Sequence, residues 1–487
     1  MKQVILRTAK INPSRTILFG VSGGDCPGLN AILAGLVGSV GNSGIKVATL
    51  QGGFQTLCAK PAKFMKGLRV VNPDEAEILA VLPSIIANSS RTKLDEDNQG
   101  NAINNVKDFY AVILVGGDDH AHQAGKLANL LKERKIQVPI FIALKTVDND
   151  TAAKPIGADT AIEHQRGDFL STAMTAWAHR KTSVYENMGR DRGWVTIGAG
   201  DIRLSERDKE HPQRAWILKQ VGPAIVNLIP EKPSYLVDLL IEITERMSQE
   251  DILYDARLRP IGKTLRLYAL PNVCEGYQFK DFAKSHQKNK DTLFYQLLAL
   301  DHILKAKFYA TKEYDIHGNP KLAGLSDYIV SAIKYIPALA RYDSRLKKAV
   351  CLLRKRMREA GVLEKEIFGK EGRLEIITGT RQNMPNYIIR GLEQNIYDKT
   401  YGLNIGRHAF GVIQKARKQI VAGQTLTYIG FVIAINKDED PRTTEVRLIP
   451  VEDAAKCVDV TTVYTDGELR KMGVWWKIHV KTMHRDL

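Results

Sequence analysis

Thr16-Ile17-Leu18-Phe19-Gly20-Val21 runs into Ser22-Gly23-Gly24-Asp25-Cys26-Pro27-Gly28, and Leu29 to Val40 follows. A short apolar run closed by glycines reads as a buried strand, and the longer segment after it reads as a helix. The rhythm recurs. Phe109 to Val115 is strand-like and closes on Gly116-Gly117-Asp118-Asp119-His120, ahead of a helical stretch from Ala121 to Arg134. Pro139 to Leu144 is a third strand and runs straight into Lys145-Thr146-Val147-Asp148-Asn149-Asp150. Strand–turn–helix units of this kind predict an α/β fold, a parallel sheet covered on both faces by helices, with ligands at the carboxyl ends of the strands. All three turns fall at such ends.

The third turn holds two carboxylates two residues apart and a lysine three residues before the first. An acid to take a proton from a hydroxyl, a second to hold a metal and a cation for a phosphate are what phosphoryl transfer needs. In the first turn, glycines between strand and helix let backbone N–H groups approach a phosphate. Taken alone, that turn reads equally well as plain packing.

Composition narrows the class. The chain has 487 residues, 44% hydrophobic and 25% charged, enough for two to four domains. No apolar run reaches the length of a membrane span. Met1 to Arg15 lacks the apolar core and cleavage site of a secretory signal, so a cytoplasmic location is expected. The five cysteines are widely spaced with no C-x-x-C pair, against a disulfide framework or a zinc site. Net charge is +16, and residues 278–375, with 20 Lys+Arg against 12 Asp+Glu, carry half of it. Arg345 to Arg358 sets Val350, Leu352, Leu353 and Met357 among cations without interleaved aromatics, which favours a solvated helix face over a nucleic-acid stripe.

A second α/β unit is expected from about Thr160, with strands at Thr182 to Tyr185, Trp194 to Ile197 and Leu265 to Leu270. Residues 278–372 read as a helical insertion, Gln424 to Arg447 alternates like β-structure, and the basic tail with Trp475-Trp476 reads as a docked element.

Together these motifs resemble the 6-phosphofructokinase family. Gly23-Gly24-Asp25-Cys-Pro27-Gly28-Leu-Asn30 resembles its first turn, Gly116-Gly117-Asp118 its GGD signature, and Thr146 to Asp150 its T-[IV]-D-N-D segment. Met188-Gly189-Arg190 is similar to its sugar-phosphate motif, Cys274-Glu275-Gly276 to its strand-end E-G, and Asn88 to Thr92 to its Ser-Ser-Arg turn. Tyr387-Ile-Ile-Arg390-Gly391, with Asp398 downstream, stands where the family has an aromatic or His followed by Q-R-G; Arg381 and Lys181 fall at the spacing of other family cations.

The resemblance implies two Rossmann-like three-layer α/β/α domains of the phosphofructokinase fold. The first would be 1–160, completed by about 390–425. The second would be 161–390 with the insertion at 278–372, and 426–487 would pack on it. It implies a Mg-dependent, reversible phosphorylation of fructose 6-phosphate, in an assembly of at least two copies that bring Lys181 and Arg381 to a neighbour's site. Asp148 is the expected base, and Asp118 and Asp150 the metal ligands. Arg190, Arg390 and Arg381 would bind the sugar phosphate, with Gly24, Thr146, Lys181, Met188, Gly189 and Tyr387 beside the substrates. Glu275 would hold sugar hydroxyls and Arg91 would neutralise the transferred group. An Asx-rich turn is the competing reading for Asp148 and Asp150, core packing for Met188, and solvated charge for Lys181 and Arg381. A seven-carbon sugar phosphate meets the same requirements as fructose 6-phosphate.

The donor is read from two positions. ATP-using members usually carry Gly where this chain has Asp119 and Lys145, the pair that resembles the pyrophosphate-dependent members. A carboxylate about 4 Å from an α-phosphate repels it by ~4 kcal/mol at an effective dielectric of ~20, and Lys145 supplies a compact cation that offsets Asp119. Pyrophosphate is therefore the expected donor, with ATP as the alternative.

Other positions depart from the family. His120 stands for Ser or Thr, Pro83-Ser84 for Gly-Gly, Phe54 for Tyr, and Ile388 and Ile389 for polar residues. These leave open a non-catalytic regulatory subunit of the same fold, although the residues named for chemistry are all present. A lipid or nicotinamide kinase of the wider GGD-turn group would explain Asp118 but not Met188-Gly-Arg.

Overall fold

The computed structural model describes residues 10–189, 192–204, 208, 211–280, 293–310, 325–369, 373–376, 388–426 and 429–477. Their strands are β1 (Thr16–Val21), β2 (Lys46–Leu50), β3 (Leu68–Val70), β4 (Ala111–Gly116), β5 (Ile140–Leu144) and β6 (Tyr185–Asn187). β7 (Ile225–Leu228), β8 (Glu250–Tyr254), β9 (Pro260–Leu265), β10 (Leu270–Cys274), β11 (Phe431–Ala434) and β12 (Arg447–Pro450) complete the set. The chain divides into two compact units, 1–164 with 386–458, and 165–385 with 459–487.

In the first unit seven strands form one sheet in the order β12-β11-β5-β4-β1-β2-β3. The central five pair in parallel, while β3 and β12 are antiparallel edges. β1, β4 and β5 are buried along their whole length, as continuous apolar runs require when both faces are covered. Strand order reverses between β1 and β4, so the crevice of the sheet opens at their carboxyl ends. The helices Leu29–Val40 and Ile396–Val421 cross at contact distance: a Cβ on Gly35 would stand 2.3 Å from Leu403 O, and one on Gly406 2.1 Å from Ile32 O.

In the second unit β6, β10 and β7 form a parallel sheet, and β8 with β9 forms a separate antiparallel hairpin. Asn272 Nδ2 donates to Asn227 Oδ1 (2.7 Å) and Thr196 O (2.9 Å), which links β10 to β7 through buried amides. The described part of the expected insertion is helical, with helices Leu293–Leu300, His302–Ala310, Leu325–Lys334, Ile336–Leu339, Ser344–Glu359 and Glu364–Ile367. Leu346, Val350, Leu353 and Met357 bury one face of Ser344–Glu359 in the core, leaving its cations outward. Trp475 joins that core, and Lys232 and Arg470 stand over the Trp476 ring at 4.9 and 4.3 Å.

Several expectations need correction. Residues 426–458 belong to the first unit, because β11 pairs in parallel with β5 and extends the sheet; a four-residue apolar strand carries no mark of the sheet it joins. Trp194 to Ile197 is helical, within Trp194–Gly200, although its β-branched residues read as a strand. Tertiary packing overrides that propensity: a Cβ on Gly200 would stand 2.0 Å from Asn227 Oδ1, so the helix lies directly on the sheet. The strand expected at Thr182 to Tyr185 begins at Tyr185, and the apolar run from Leu265 to Leu270 bridges β9 and β10.

Candidate active site

The site of the first unit is built at the crevice beyond β1, β4 and β5. Ser22 N donates to Val115 O (2.9 Å) and carries the ladder into the glycine turn. Gly23 has φ 91°, and its N–H donates to Ser90 O (2.8 Å), while Ser89 Oγ donates to Gly23 O. The Ser89-Ser90 turn is thereby stitched to the glycine turn and leaves Arg91 exposed. A Cβ on Gly24 would stand 2.7 Å from Arg390 Nη1, so the guanidinium packs directly against the glycine, and it donates to Asp25 O (3.2 Å). Within this unit Arg390, expected on the sugar phosphate, is thus held at the glycine turn. Ser84 takes φ 57°, where the family's glycine would be at ease, and its Oγ donates to Asp25 Oδ2 (2.6 Å).

Lys145 is 4% exposed and donates to Gly24 O. Burial pushes its ammonium down to about 8, with Arg390 acting the same way and Asp25 and Asp148 opposing. His120 is buried beside Phe54, ring centroids 6.0 Å apart. Burial, then Lys145, lowers its pKa and favours the uncharged imidazole, and its Nε2 has no partner among the described residues.

Asp118 and Asp119 open the helix Asp118–Glu133, where the helix N-terminus favours negative charge. Asp119 is exposed and its ion pair is with Lys93, 3.1 Å away. The expectation that Lys145 offsets Asp119 is therefore corrected: Lys145 turns under the glycine turn, and a lysine from a different loop meets the carboxylate.

In the third turn Asp148 N donates to Thr146 Oγ1 (3.0 Å), a local side-chain bond that sets the bend. Asp148 is 4% exposed, and Asn149 takes φ 54°, a conformation asparagine tolerates. Burial raises Asp150 to about 6, with Asp148 and then Asp118 adding to the effect. Asp148 and Asp118 thus both lie within electrostatic reach of Asp150, a repulsion that a divalent cation relieves. Among the described residues no group of three or more His, Cys, Asp or Glu is placed to hold a metal ion. Mg takes one or two carboxylates and completes its shell with water and phosphate oxygens, so Asp118 and Asp150 fit it.

The sequence reading missed Lys437 and Lys93. Lys437 follows β11 and donates to Asn149 O and to Thr151 O (3.0 Å); burial brings its ammonium down to about 7, opposed by Asp150. A single lysine after a short strand carries no motif that points to a turn nearly 290 residues earlier. It missed Asp398 as a cap too: that carboxylate accepts from Gly157 N (2.8 Å), Thr160 N (2.7 Å) and Thr160 Oγ1 (2.6 Å).

In the second unit the expected residues also lie at strand ends. Met188 follows β6, is buried, and its N–H donates to Gln165 Oε1 (3.3 Å). Gly189 has φ 148°, and a Cβ there would stand 2.5 Å from Arg192 O. Glu275 follows β10 and donates its N–H to Asn187 O (2.8 Å). Lys181 pairs with Glu375 at 2.7 Å. Arg190, Arg381 and Tyr387 lie outside the described residues.

Residues 16–251 match the family model described as phosphofructokinase. The ATP-dependent 6-phosphofructokinase of Chloroflexus aurantiacus is 29% identical over 263 residues, 50% of this chain and 68% of that protein. The pyrophosphate–fructose 6-phosphate 1-phosphotransferase of Amycolatopsis methanolica is 28% identical over 231 residues, 46% of this chain and 58% of that one. Each alignment thus takes in about half of this chain. The crystal structure of a pyrophosphate-dependent phosphofructokinase from Marinobacter aquaeolei superposes with a TM-score of 0.55 at 15% identity, over 95% of this chain and 93% of that one. The fold is that of the phosphofructokinases, and residues 16–251 are similar to the phosphofructokinase family.

Proposed function

We propose that the protein phosphorylates fructose 6-phosphate to fructose 1,6-bisphosphate. The observation that carries the reading is the meeting of three strand-end turns at the crevice of one sheet, where buried Asp148 lies within electrostatic reach of Lys145 and Asp150, and Asp150 within reach of Asp118. Asp148 takes the proton of the sugar's primary hydroxyl as its oxygen bonds to phosphorus, and the bond from phosphorus to the leaving phosphate oxygen breaks. Lys145 sets positive charge beneath the glycine turn. Arg91 neutralises the group in transfer. Mg, held by Asp118 and Asp150, would offset the charge on the phosphate oxygens. Met188, Gly189, Arg190, Glu275, Lys181, Arg381 and Tyr387 take the sugar phosphate, in an assembly of at least two copies. The enzyme acts in the cytoplasm.

Diphosphate is the donor we assign, because side chains at 119 and 145 occupy positions where ATP-using relatives have glycine. The second reading, ATP, is favoured by one observation: Lys93 neutralises part of the charge with which Asp119 would repel an α-phosphate. The test offers purified protein Mg and fructose 6-phosphate with either donor, and follows fructose 1,6-bisphosphate. Product from diphosphate is expected. Product from ATP alone would reverse the donor, and product from neither would favour a regulatory subunit.

A further inference from the structure

Lys437 stands at the catalytic turn but belongs to none of its motifs. Its ammonium donates to the carbonyls of Asn149 and Thr151, the residues on either side of Asp150. The segment that carries it lines the same stretch of backbone. Val458 N donates to Asp150 O (2.8 Å), Ala152 N to Lys456 O (2.9 Å), Ala153 N to Ala454 O (3.0 Å) and Lys154 N to Ile435 O (3.0 Å). The loop is itself fixed, since Asn436 N donates to Glu439 Oε2 (2.6 Å). The carbonyls of Asn149, Asp150 and Thr151 therefore all meet donors from residues 437–458.

An ammonium carries three donors and no acceptor, which suits it to bridging two carbonyls. One end of the bridge is the carbonyl of Asn149, the one residue of the turn with φ in the left-handed region, which the bridge helps to hold. Removing the ammonium leaves two carbonyls short of a donor and frees Asn149 to relax, which would swing Asp148 and Asp150 together.

We infer that Lys437 is a positioning residue, clamping the backbone on both sides of Asp150 so that the proton-accepting and metal-binding carboxylates keep their mutual orientation. The clamp stands on backbone contacts; its meaning for turnover rests on the proposed phosphotransferase reading.

The test compares Lys437→Met, Lys437→Gln and Lys437→Arg with the parent, by amide hydrogen exchange and by steady-state kinetics. In Lys437→Met, exchange across residues 146–152 should rise about tenfold or more, with β1 unchanged, as expected of a local opening. Turnover should fall about 10–100-fold with the KM for fructose 6-phosphate within about twofold, since a small misplacement of reacting groups costs rate rather than binding. Lys437→Arg, which keeps donors on a cation, should restore most of both. Unchanged exchange at 146–152 in both Met and Gln variants would overturn the clamp. Raised exchange with parental turnover would overturn the positioning role. If the parent turned over neither donor, the exchange result would still decide the clamp while the functional reading fell on its own. A Met variant that did not fold would leave the Gln variant, isosteric in its first carbons and polar at its end, to decide the same two readouts.

Discussion

Lys93 Nζ lies 3.1 Å from Asp119 Oδ2, with the two side chains 63% and 66% exposed. The residue to which we assign donor choice is thus half of a surface ion pair. Such pairs contribute only ~0–1 kcal/mol to stability, so substitution there should act on substrate choice and leave folding alone. Asp119→Gly is expected to raise the ratio of kcat/KM for ATP over diphosphate by about tenfold, corresponding to ~1.4 kcal/mol at exposed, screened charges. Lys93→Ala should move the ratio the other way, by leaving Asp119 unopposed. Kinetics with both donors decide it; a ratio indifferent to both changes would remove Asp119 from the account of specificity.

Lys145 gives a pH dependence with a defined sign. Its ammonium has been brought down to about 8 by burial, so it is charged below that pH and loses its charge as pH rises through it. The KM for diphosphate should therefore climb above pH about 8 in the parent. Lys145→Met should show a raised KM at every pH, without that climb. A parent-like climb in the variant would assign the titration to another group.

Replacing Asp148 by Asn removes the proposed base while keeping its volume. Turnover should fall ~10²–10⁴-fold, the usual contribution of a positioned base. Binding of fructose 6-phosphate, measured by calorimetry, should hold within about threefold, because the lost interaction belongs to the transition state. Survival of most of the turnover would move the base elsewhere.

Gly406→Ala probes the scaffold. The added Cβ would stand 2.1 Å from Ile32 O and 2.5 Å from Leu36 N, and these are backbone atoms of a neighbouring helix that cannot turn aside. Overpacking of ~1–3 kcal/mol should exceed the gain of up to ~1 kcal/mol from alanine's helix propensity. Chemical denaturation should give a lower midpoint, whereas an unchanged one would mean that the two helices separate easily.

The first strand and helix were legible residue by residue, Thr16–Val21 and Leu29–Val40, because apolar periodicity and glycine punctuation are local signals. Trp194 to Ile197 shows the limit of such signals. Its β-branched residues favour a strand, and its neighbours on the sheet make it a helix. Asp148, Asp150, Asp118 and Gly24 were legible as parts of turns, since their spacing is short. Lys93 and Lys437 were not, because nothing in a lone lysine specifies which distant backbone or carboxylate it will meet.

The sequence by itself determined the strand–turn–helix rhythm, the order of the three turns and the residue types each presents, since these depend on neighbours a few positions apart. Tertiary structure alone decided that β11 and β12 join the first sheet, that Lys145 turns under the glycine turn while Lys93 takes Asp119, and that Lys437 grips Asn149 and Thr151. Those pairings cross long stretches of chain. They are chosen by which strand edge and which buried carbonyls remain to be satisfied once the core has formed.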